Sequence, residues 1–202
     1  MIISLIGVMG CGKSSVGRRL SELLCCPFVD LDAEIEKVAG CSVAEIFASC
    51  GETEFRRLEK ETLKTVLEMS ATSPQHNEKL SPNSNHQMIL ALGGGAVMTP
   101  ECEELVHGQT VCIYLRASVE ELVGRLSGES SGRPLLSSGP KDTTDTPRED
   151  ILQEQQTKTS ALRKRILELM SIRSETYERV SHHIIDTDGK SIDQVTREII
   201  HL

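Results

Sequence analysis

The sequence predicts an α/β fold in which a parallel sheet carries helices on both faces. Short apolar runs of strand length alternate with longer segments whose apolar residues recur at helical spacing. Strands that alternate with helices in this way build a parallel sheet covered on both sides. The first strand leads into a glycine-rich turn, GVMGCGKSS at residues 7–15, at the end of the sheet where such folds gather ligands.

Each element is predicted by its own pattern. Apolar runs predict strands at residues 1–6, 28–31, 88–92, 111–115 and 183–186. Helical spacing predicts helices from Lys13 to Cys25, from about Ala33 to Gly40, from Ser42 to about Met69, from Pro100, from Ser118, from about Thr159 to Val180, and from Ser191 onwards. Gly40 suits a helix C-terminus, Ser42 and Glu45 have capping-box spacing, and Pro100 occupies a first helical position. Gly51 marks a break inside the third helix.

Two polar segments interrupt this alternation. Residues 70–87 and 127–158 are rich in Ser, Pro, Thr, Gly and charged residues and show little periodicity. Long irregular segments inside a compact domain are usually insertions or functional lids. We interpret residues 70–87 as a surface insertion, and residues 127–158, which contain GRPLL, as an extended lid.

The bulk composition excludes several classes of function. A chain of 202 residues is expected to form a single domain over residues 1–202. The net charge of −8 and the scarcity of aromatic residues argue against nucleic acid binding. No apolar run approaches the roughly 20 residues of a membrane span. Seven cysteines without a C-x-x-C pair do not suggest a metal or disulfide framework, and they favour the reducing cytoplasm.

The glycine-rich turn has the spacing of a nucleoside triphosphate P-loop, Gly7-x-x-x-x-Gly12-Lys13-Ser14. Its glycines allow backbone N–H groups to turn inwards, and the following helix directs its positive end at the same point. In this motif the lysine reaches the β- and γ-phosphates, and the serine hydroxyl ligates Mg²⁺. We therefore expect ATP, with Mg²⁺, to contact Gly10, Cys11, Gly12, Lys13, Ser14 and Ser15.

Four further features bear on what accepts the phosphate. Asp30 and Asp32 end a strand, where residues two apart share one face. Arg56 and Arg173 lie in charged helical segments, and three glycines at residues 93–95 follow a strand, where a backbone can approach a ligand closely. Taken singly, the acids are also consistent with a helix cap, and the arginines with solvated surface charge.

Taken together, these motifs resemble one family. GVMGCGKSS, FVDLD, GETEFRRLE, LGGGAV, GRPLL and IRSETYERV stand in the order and approximate spacing of shikimate kinases. The resemblance covers essentially the whole chain apart from the two polar segments. It implies a five-stranded parallel sheet of the nucleoside monophosphate kinase type with a mobile lid, and transfer of the γ-phosphate of ATP to the 3-hydroxyl of shikimate, on the route to chorismate. We expect the chain to act as a monomer.

The resemblance also implies a role for each matching residue. On the nucleotide side, Lys13 would bind the transferring phosphate, Ser14 the Mg²⁺ with Asp30 in its outer shell, Arg133 would enter with the lid, and Lys190 would lie near the adenine. On the acceptor side, Asp32 would bind the hydroxyls and help to take the proton, Arg56 and Arg173 would bind the carboxylate, and the Gly94 N–H would contact shikimate. Glu59, one turn from Arg56, is placed to hold that arginine. The chain departs from many relatives at Glu129, where they have an arginine; Arg125 is the nearest replacement.

Two other functions fit part of this pattern. Another small-acceptor kinase, acting on gluconate or a nucleoside monophosphate, would use the same P-loop. The pair of arginines beside Asp32 favours a hydroxylated carboxylic acid instead. A P-loop regulatory protein would need no acceptor pocket and would leave that pair unexplained.

Overall fold

The structure, a computed structural model, describes residues 1–72, 88–132 and 148–202 of the chain. Its strands are β1 (Ile2–Ile6), β2 (Phe28–Asp30), β3 (Met88–Ala91), β4 (Val111–Arg116) and β5 (His183–Asp186). The helices of the described ranges are α1 (Lys13–Leu24), α2 (Leu31–Ala39), α3 (Val43–Thr72), α4 (Pro100–Gln109), α5 (Val119–Gly132), α6 (Arg148–Val180) and α7 (Ile192–Ile200), with a short 3-10 turn at Ala96–Met98. The predicted alternation of strands and helices is confirmed.

The strands form one parallel sheet in the order β2-β3-β1-β4-β5. In its centre, Leu5 of β1 is paired with Ala91 of β3 on one side and with Ile113 of β4 on the other. Every residue of β1 is buried, which explains why this strand is almost wholly apolar. Helices flank the sheet: α1 packs with α7, and α4 packs with α3 and α6. The five-stranded parallel sheet agrees with the prediction.

The carboxyl edge of the sheet collects the segments with the predicted chemistry. The P-loop follows β1, Asp30 ends β2, and Gly93–Gly95, here called the glycine turn, follows β3. Asp30 is in register with Ala91, so the end of β2 lies beside the end of β3. This is the edge at which open α/β sheets bind ligands.

The prediction that Asp30 and Asp32 share one face of a strand is wrong. β2 ends at Asp30, and Asp32 lies in the first turn of α2. The helix begins early because Leu31 and Ile35, four residues apart, are both fully buried on the core side of α2. Asp32 therefore reaches the carboxyl edge from a helix and not from the strand.

The polar segments contain more helix than predicted. Residues 127–132 continue α5, residues 70–72 end α3, and α6 begins at Arg148 and not near Thr159. Residues 148–158 are rich in Glu, Gln and Lys, which have high helix propensity without an apolar stripe, so periodicity did not reveal this part of α6. Arg133 and the remainder of both segments lie outside the described residues.

Other predicted boundaries are confirmed. Gly51 interrupts α3 with a φ of 78° and a ψ of 178°, and Gly40 ends α2 in the left-handed conformation. Ser191 opens α7 with a complete capping box in which Gln194 is the partner. None of the helices in the described ranges combines the length and the apolar character needed to cross a bilayer.

Candidate active site

The loop between β1 and α1 is shaped by its glycines. Gly7 and Gly12 have φ values of 140° and 99°, a region that favours glycine. A Cβ on Gly7 would also lie 2.7 Å from the carbonyl oxygen of Leu115, so a side chain is excluded by space as well. α1 begins directly after Gly12, so the positive end of its dipole faces the loop. The loop and helix together form a site suited to phosphate groups.

Lys13 lies across this loop. Its Nζ donates to the carbonyl oxygens of Gly7 at 2.8 Å and Val8 at 3.1 Å. The thiol of Cys11, which is buried in the loop, lies 3.8 Å from the same nitrogen. The ammonium group is thus held at the loop by carbonyl oxygens, without a carboxylate partner in the described part of the chain. In the same loop, Gly10 packs closely against α5, because a Cβ there would lie 2.9 Å from Leu126.

Ser14 connects the P-loop helix to β2. Its hydroxyl donates to Asp30 Oδ2 at 3.0 Å. Both groups are hard oxygen donors, the type that Mg²⁺ prefers. Ser15, the next residue of the motif, is exposed. The predicted metal-binding pair is therefore brought together at the loop.

Asp32 has an environment that disfavours its charge. Burial, and after it the carboxylate of Asp30, raises the pKa of Asp32 above its ordinary value, although the cations Lys13 and Arg56 oppose the shift. The carboxylate faces the glycine turn, since a Cβ on Gly93 would lie 2.6 Å from Asp32 Oδ1. A carboxylate with a raised pKa, close to two cations, is suited to accept a proton from an alcohol.

Arg56 is fixed by two acids of its own helix. Its Nη1 donates to Glu59 Oε2 at 2.6 Å, and its Nη2 donates to Glu52 Oε1 at 3.2 Å. Glu59 is only 1% exposed, and its second oxygen has no hydrogen-bond partner among the described residues. Burial raises the pKa of Glu59, and Arg56 acts against that shift. The expectation that Glu59 holds Arg56 is confirmed.

Arg173 reaches the site from α6. Its Nη1 donates to the Gly94 carbonyl oxygen at 3.0 Å. The hydroxyl of Tyr177, one turn further along α6, donates to the same oxygen. Tyr177 is fully buried, whereas Arg173 is partly exposed and can present its remaining donors to a ligand.

The glycine turn is the point at which these side chains meet. A Cβ on Gly94 would lie 3.1 Å from Arg173 Nη1, and a Cβ on Gly95 would lie 2.6 Å from Arg56 Nη2. A Cβ on Gly93 would likewise lie against the Asp32 carboxylate. Each glycine therefore leaves room for one of the three side chains that are predicted to bind the phosphate acceptor. The triplet, which is weak evidence as a sequence motif, has a separate steric reason at each of its three positions.

The residues predicted near the adenine differ in their contacts. Lys190 Nζ is paired with Glu198 Oε2 at 2.7 Å, so it turns towards α7. Arg125 donates to the carbonyl oxygens of Cys11 and Thr187, at 3.3 and 2.7 Å. Arg125 thus contacts the P-loop directly. The sequence indicated Arg125 only as a replacement for the arginine that many relatives have at position 129, because Arg125 lies farther from Arg133 along the chain than that arginine does.

Tyr177 also contacts the glycine turn, and the sequence pattern did not indicate this contact. Tyr177 shares one face of α6 with the apolar residues Ile166 and Leu169, a pattern typical of a core residue, and the structure does bury it. The available signal was its position four residues after Arg173, which places both side chains on one face of a helix.

We expect Gly95→Ala to weaken acceptor binding by about tenfold, the equivalent of roughly 1.4 kcal/mol. Gly95 has a φ of −108°, which alanine adopts freely, so the effect comes from space and not from backbone strain. The new methyl group would displace the Arg56 guanidinium. Calorimetric titration with the acceptor measures the change.

Gly108→Ala is the matched control, because no described atom other than the adjacent backbone of its own helix and its chain neighbours lies within 4 Å of a Cβ at that position. It should bind the acceptor like the unmodified protein. Unchanged affinity in Gly95→Ala would show that Arg56 does not need the space that Gly95 leaves.

Known proteins of one family are similar to this chain over most of its length. The family model for shikimate kinase matches residues 9–73 and 77–202. The chain is 36% identical to the shikimate kinase of Streptomyces coelicolor over 196 residues, which is 97% of this chain and 91% of that protein. It is 37% identical to the shikimate kinase of Mycobacterium marinum over 97% of this chain and 85% of that protein.

A solved structure agrees with these relatives. The shikimate kinase from Acinetobacter baumannii in complex with shikimate superimposes with a TM-score of 0.71 at 28% identity, over 99% of this chain and 90% of that chain. This similarity confirms the fold class predicted from the sequence.

Proposed function

The chain belongs to the shikimate kinase family, and on that basis we propose that it transfers the γ-phosphate of ATP to the 3-hydroxyl of shikimate. One observation carries the choice of acceptor: Arg56 from α3 and Arg173 from α6 approach successive residues of the glycine turn, beside Asp32. Two guanidinium groups suit a carboxylate, and a nearby carboxylate suits hydroxyl groups. The products are ADP and shikimate 3-phosphate.

On the nucleotide side, the P-loop residues Gly10, Cys11, Gly12 and Ser15 bind phosphate oxygens through the loop and the start of α1. Lys13 releases the carbonyl oxygens of Gly7 and Val8 and binds the transferring phosphate. Ser14 and Asp30 are the residues that would hold Mg²⁺. When bound there, Mg²⁺ would supply positive charge that offsets the negative charge of the phosphates.

On the acceptor side, Arg56 and Arg173 bind the carboxylate and Asp32 binds the hydroxyls, while the Gly94 N–H supplies one further contact. Asp32 orients the reacting hydroxyl and accepts its proton as the new O–P bond forms. The turn and the two arginines thus determine which end of the acceptor faces the phosphate.

Two further assignments rest on the resemblance. Arg133, in the expected lid, contacts the phosphates once the lid closes. Near the adenine we propose Arg125 beside Lys190, because Arg125 touches the P-loop whereas Lys190 is paired with Glu198. We also propose that the enzyme acts as a cytoplasmic monomer that binds neither nucleic acid nor membrane.

We expect Arg56→Ala and Arg173→Ala each to weaken shikimate binding by about 1.5–3 kcal/mol, the range of charge-assisted hydrogen bonds. The affinity for ATP should change little, because the hydrogen bonds of the two side chains within the described residues do not involve the P-loop. Calorimetric titrations with each substrate separate the two effects.

Arg57→Ala is the control for both variants. Arg57 neighbours Arg56 but is exposed and paired with Glu54 and Glu61. If Arg56→Ala and Arg173→Ala both keep the shikimate affinity of this control, the carboxylate binds elsewhere.

A coupled ADP-release assay tests the proposed function. Shikimate, gluconate and AMP are supplied side by side with ATP and Mg²⁺. Shikimate should raise ATP turnover by orders of magnitude, with the other two near background. Turnover that is the same with and without shikimate would refute the proposal, and stimulation by gluconate or AMP would identify another kinase.

A further inference from the structure

We propose that Tyr177 is a positioning residue for the acceptor, acting through the Gly94 carbonyl that it shares with Arg173. The inference rests on the proposed function, because the molecule that would be positioned is shikimate. Tyr177 itself contacts neither substrate in this scheme. It acts by holding the glycine turn and by freeing Arg173.

The evidence begins with one carbonyl oxygen that receives two donors from the same helix. Arg173 and Tyr177 are four residues apart on α6, so their side chains leave the same face. Arg173 Nη1 donates to Gly94 O at 3.0 Å, and the Tyr177 hydroxyl donates to the same atom. A carbonyl oxygen has two lone pairs, so α6 occupies both acceptor positions.

Holding this carbonyl also orients the rest of the glycine turn. In a planar trans peptide, the C=O of Gly94 and the N–H of Gly95 point in opposite directions. Neither the Gly94 nor the Gly95 N–H has a hydrogen-bond partner within the described ranges. Fixing the Gly94 carbonyl therefore fixes the direction of the Gly95 N–H. This free donor lies next to the Gly94 N–H, which is expected to contact shikimate.

The Tyr177 hydroxyl is rigidly placed. The side chain is fully buried, and its ring packs against that of Tyr114 with centroids 5.1 Å apart. Burial raises the pKa of Tyr177 to about 12, so the hydroxyl stays a donor at neutral pH. Two side-chain torsions, both held by packing, leave little freedom to lose when substrate binds.

Arg173, unlike Tyr177, has two partners in this proposal, because its guanidinium binds the Gly94 carbonyl and the substrate carboxylate at once. With Tyr177 present, the carbonyl keeps one donor when Arg173 adjusts to the substrate. Without the hydroxyl, the carbonyl depends on Arg173 alone, and the guanidinium is tied to the turn. The loss should therefore appear in acceptor binding.

Tyr177→Phe tests this proposal, since it removes one oxygen atom and keeps the ring. We expect the KM for shikimate, and its Kd measured without nucleotide, to rise about five- to tenfold, the value of a typical hydrogen bond. The KM for ATP and the kcat should stay close to those of the unmodified enzyme. A purely structural role would lower the melting temperature without this split between substrates.

Tyr114→Phe is the matched control. Tyr114 is also buried, but among the described residues its hydroxyl forms no hydrogen bond with the glycine turn, unlike that of Tyr177. It should keep the KM for shikimate. A Tyr177→Phe enzyme with normal shikimate KM and Kd, or with equal losses for both substrates, would overturn the inference. Failure of the unmodified enzyme to phosphorylate shikimate would instead refute the proposed function.

Discussion

Asp32→Asn is expected to lower the kcat by about 10²–10⁴-fold, the usual contribution of a general base. Asparagine keeps the shape of the side chain and can still bind a hydroxyl, but it cannot accept the proton. Shikimate should therefore bind with little change while turnover falls. Single-turnover measurement of shikimate 3-phosphate formation separates the two steps.

The same substitution is expected to stabilise the fold near neutral pH. The pKa of Asp32 is raised in the folded protein, chiefly by burial, so the folded state binds the proton more tightly than the unfolded state. Its stabilising contribution is complete below the unfolded pKa, near 4, and is lost as the pH rises through the folded pKa. At pH 7 the ionised carboxylate therefore costs stability, which asparagine would restore.

Thermal unfolding at pH 7 and at pH 4 checks this expectation. Asp32→Asn should melt at a higher temperature than the unmodified protein at pH 7, with a smaller difference at pH 4. Asp193→Asn is the control, because Asp193 is exposed and its ion pair with Arg19 is a surface pair of small value. For the turnover prediction, full activity in Asp32→Asn would show that the reaction does not need this carboxylate.

Lys13→Met is expected to lower the kcat by about 10²–10³-fold, the effect of losing one preorganised donor to developing charge. Methionine has a similar length and no charge, so it cannot follow the phosphate through the reaction. The loop should loosen as well, because the bonds from Lys13 to the Gly7 and Val8 carbonyls are lost. Initial-rate kinetics at saturating ATP and shikimate isolate the loss in kcat.

Lys60→Met provides the comparison for Lys13→Met. Lys60 lies on α3 and its ion pair is with Glu101 of α4, at 3.7 Å, and not with a P-loop residue. It should keep a normal kcat. A Lys13→Met enzyme that also keeps a normal kcat would show that the reaction does not need this ammonium group.

The parts of the site that sequence predicts well are those determined by local chain geometry. The P-loop needs its glycines, Lys13 and Ser14 within a few residues of one another, so the motif and the structure coincide. The capping box at Ser191 and the break at Gly51 are equally local. Such features depend on neighbours along the chain, which the sequence shows directly.

The glycine turn is different, because its reason is visible only in three dimensions. Gly93, Gly94 and Gly95 leave space for side chains that come from three separate helices, and no spacing along the chain indicates that meeting. Asp32 lies at the carboxyl edge of the sheet but on α2 and not on β2, because the buried Leu31 starts that helix early. The role of Tyr177 was hidden for a related reason: a buried aromatic residue on a helix has the pattern of the core.

The pair formed by Arg56 and the buried Glu59 constrains how this protein can evolve. Replacing Arg56 alone leaves the Glu59 carboxylate, which is 1% exposed, buried without its partner, at a cost of about 3–5 kcal/mol, which is a large part of the stability of a typical domain. Replacing Glu59 alone costs less, because Arg56 is partly exposed and keeps Glu52 as a partner. A lineage that abandons Arg56 should therefore have to lose Glu59 first, or pass through an intermediate that is close to unfolding. Selection for folding alone would then preserve an arginine at position 56, even in descendants that no longer use it to bind an acceptor.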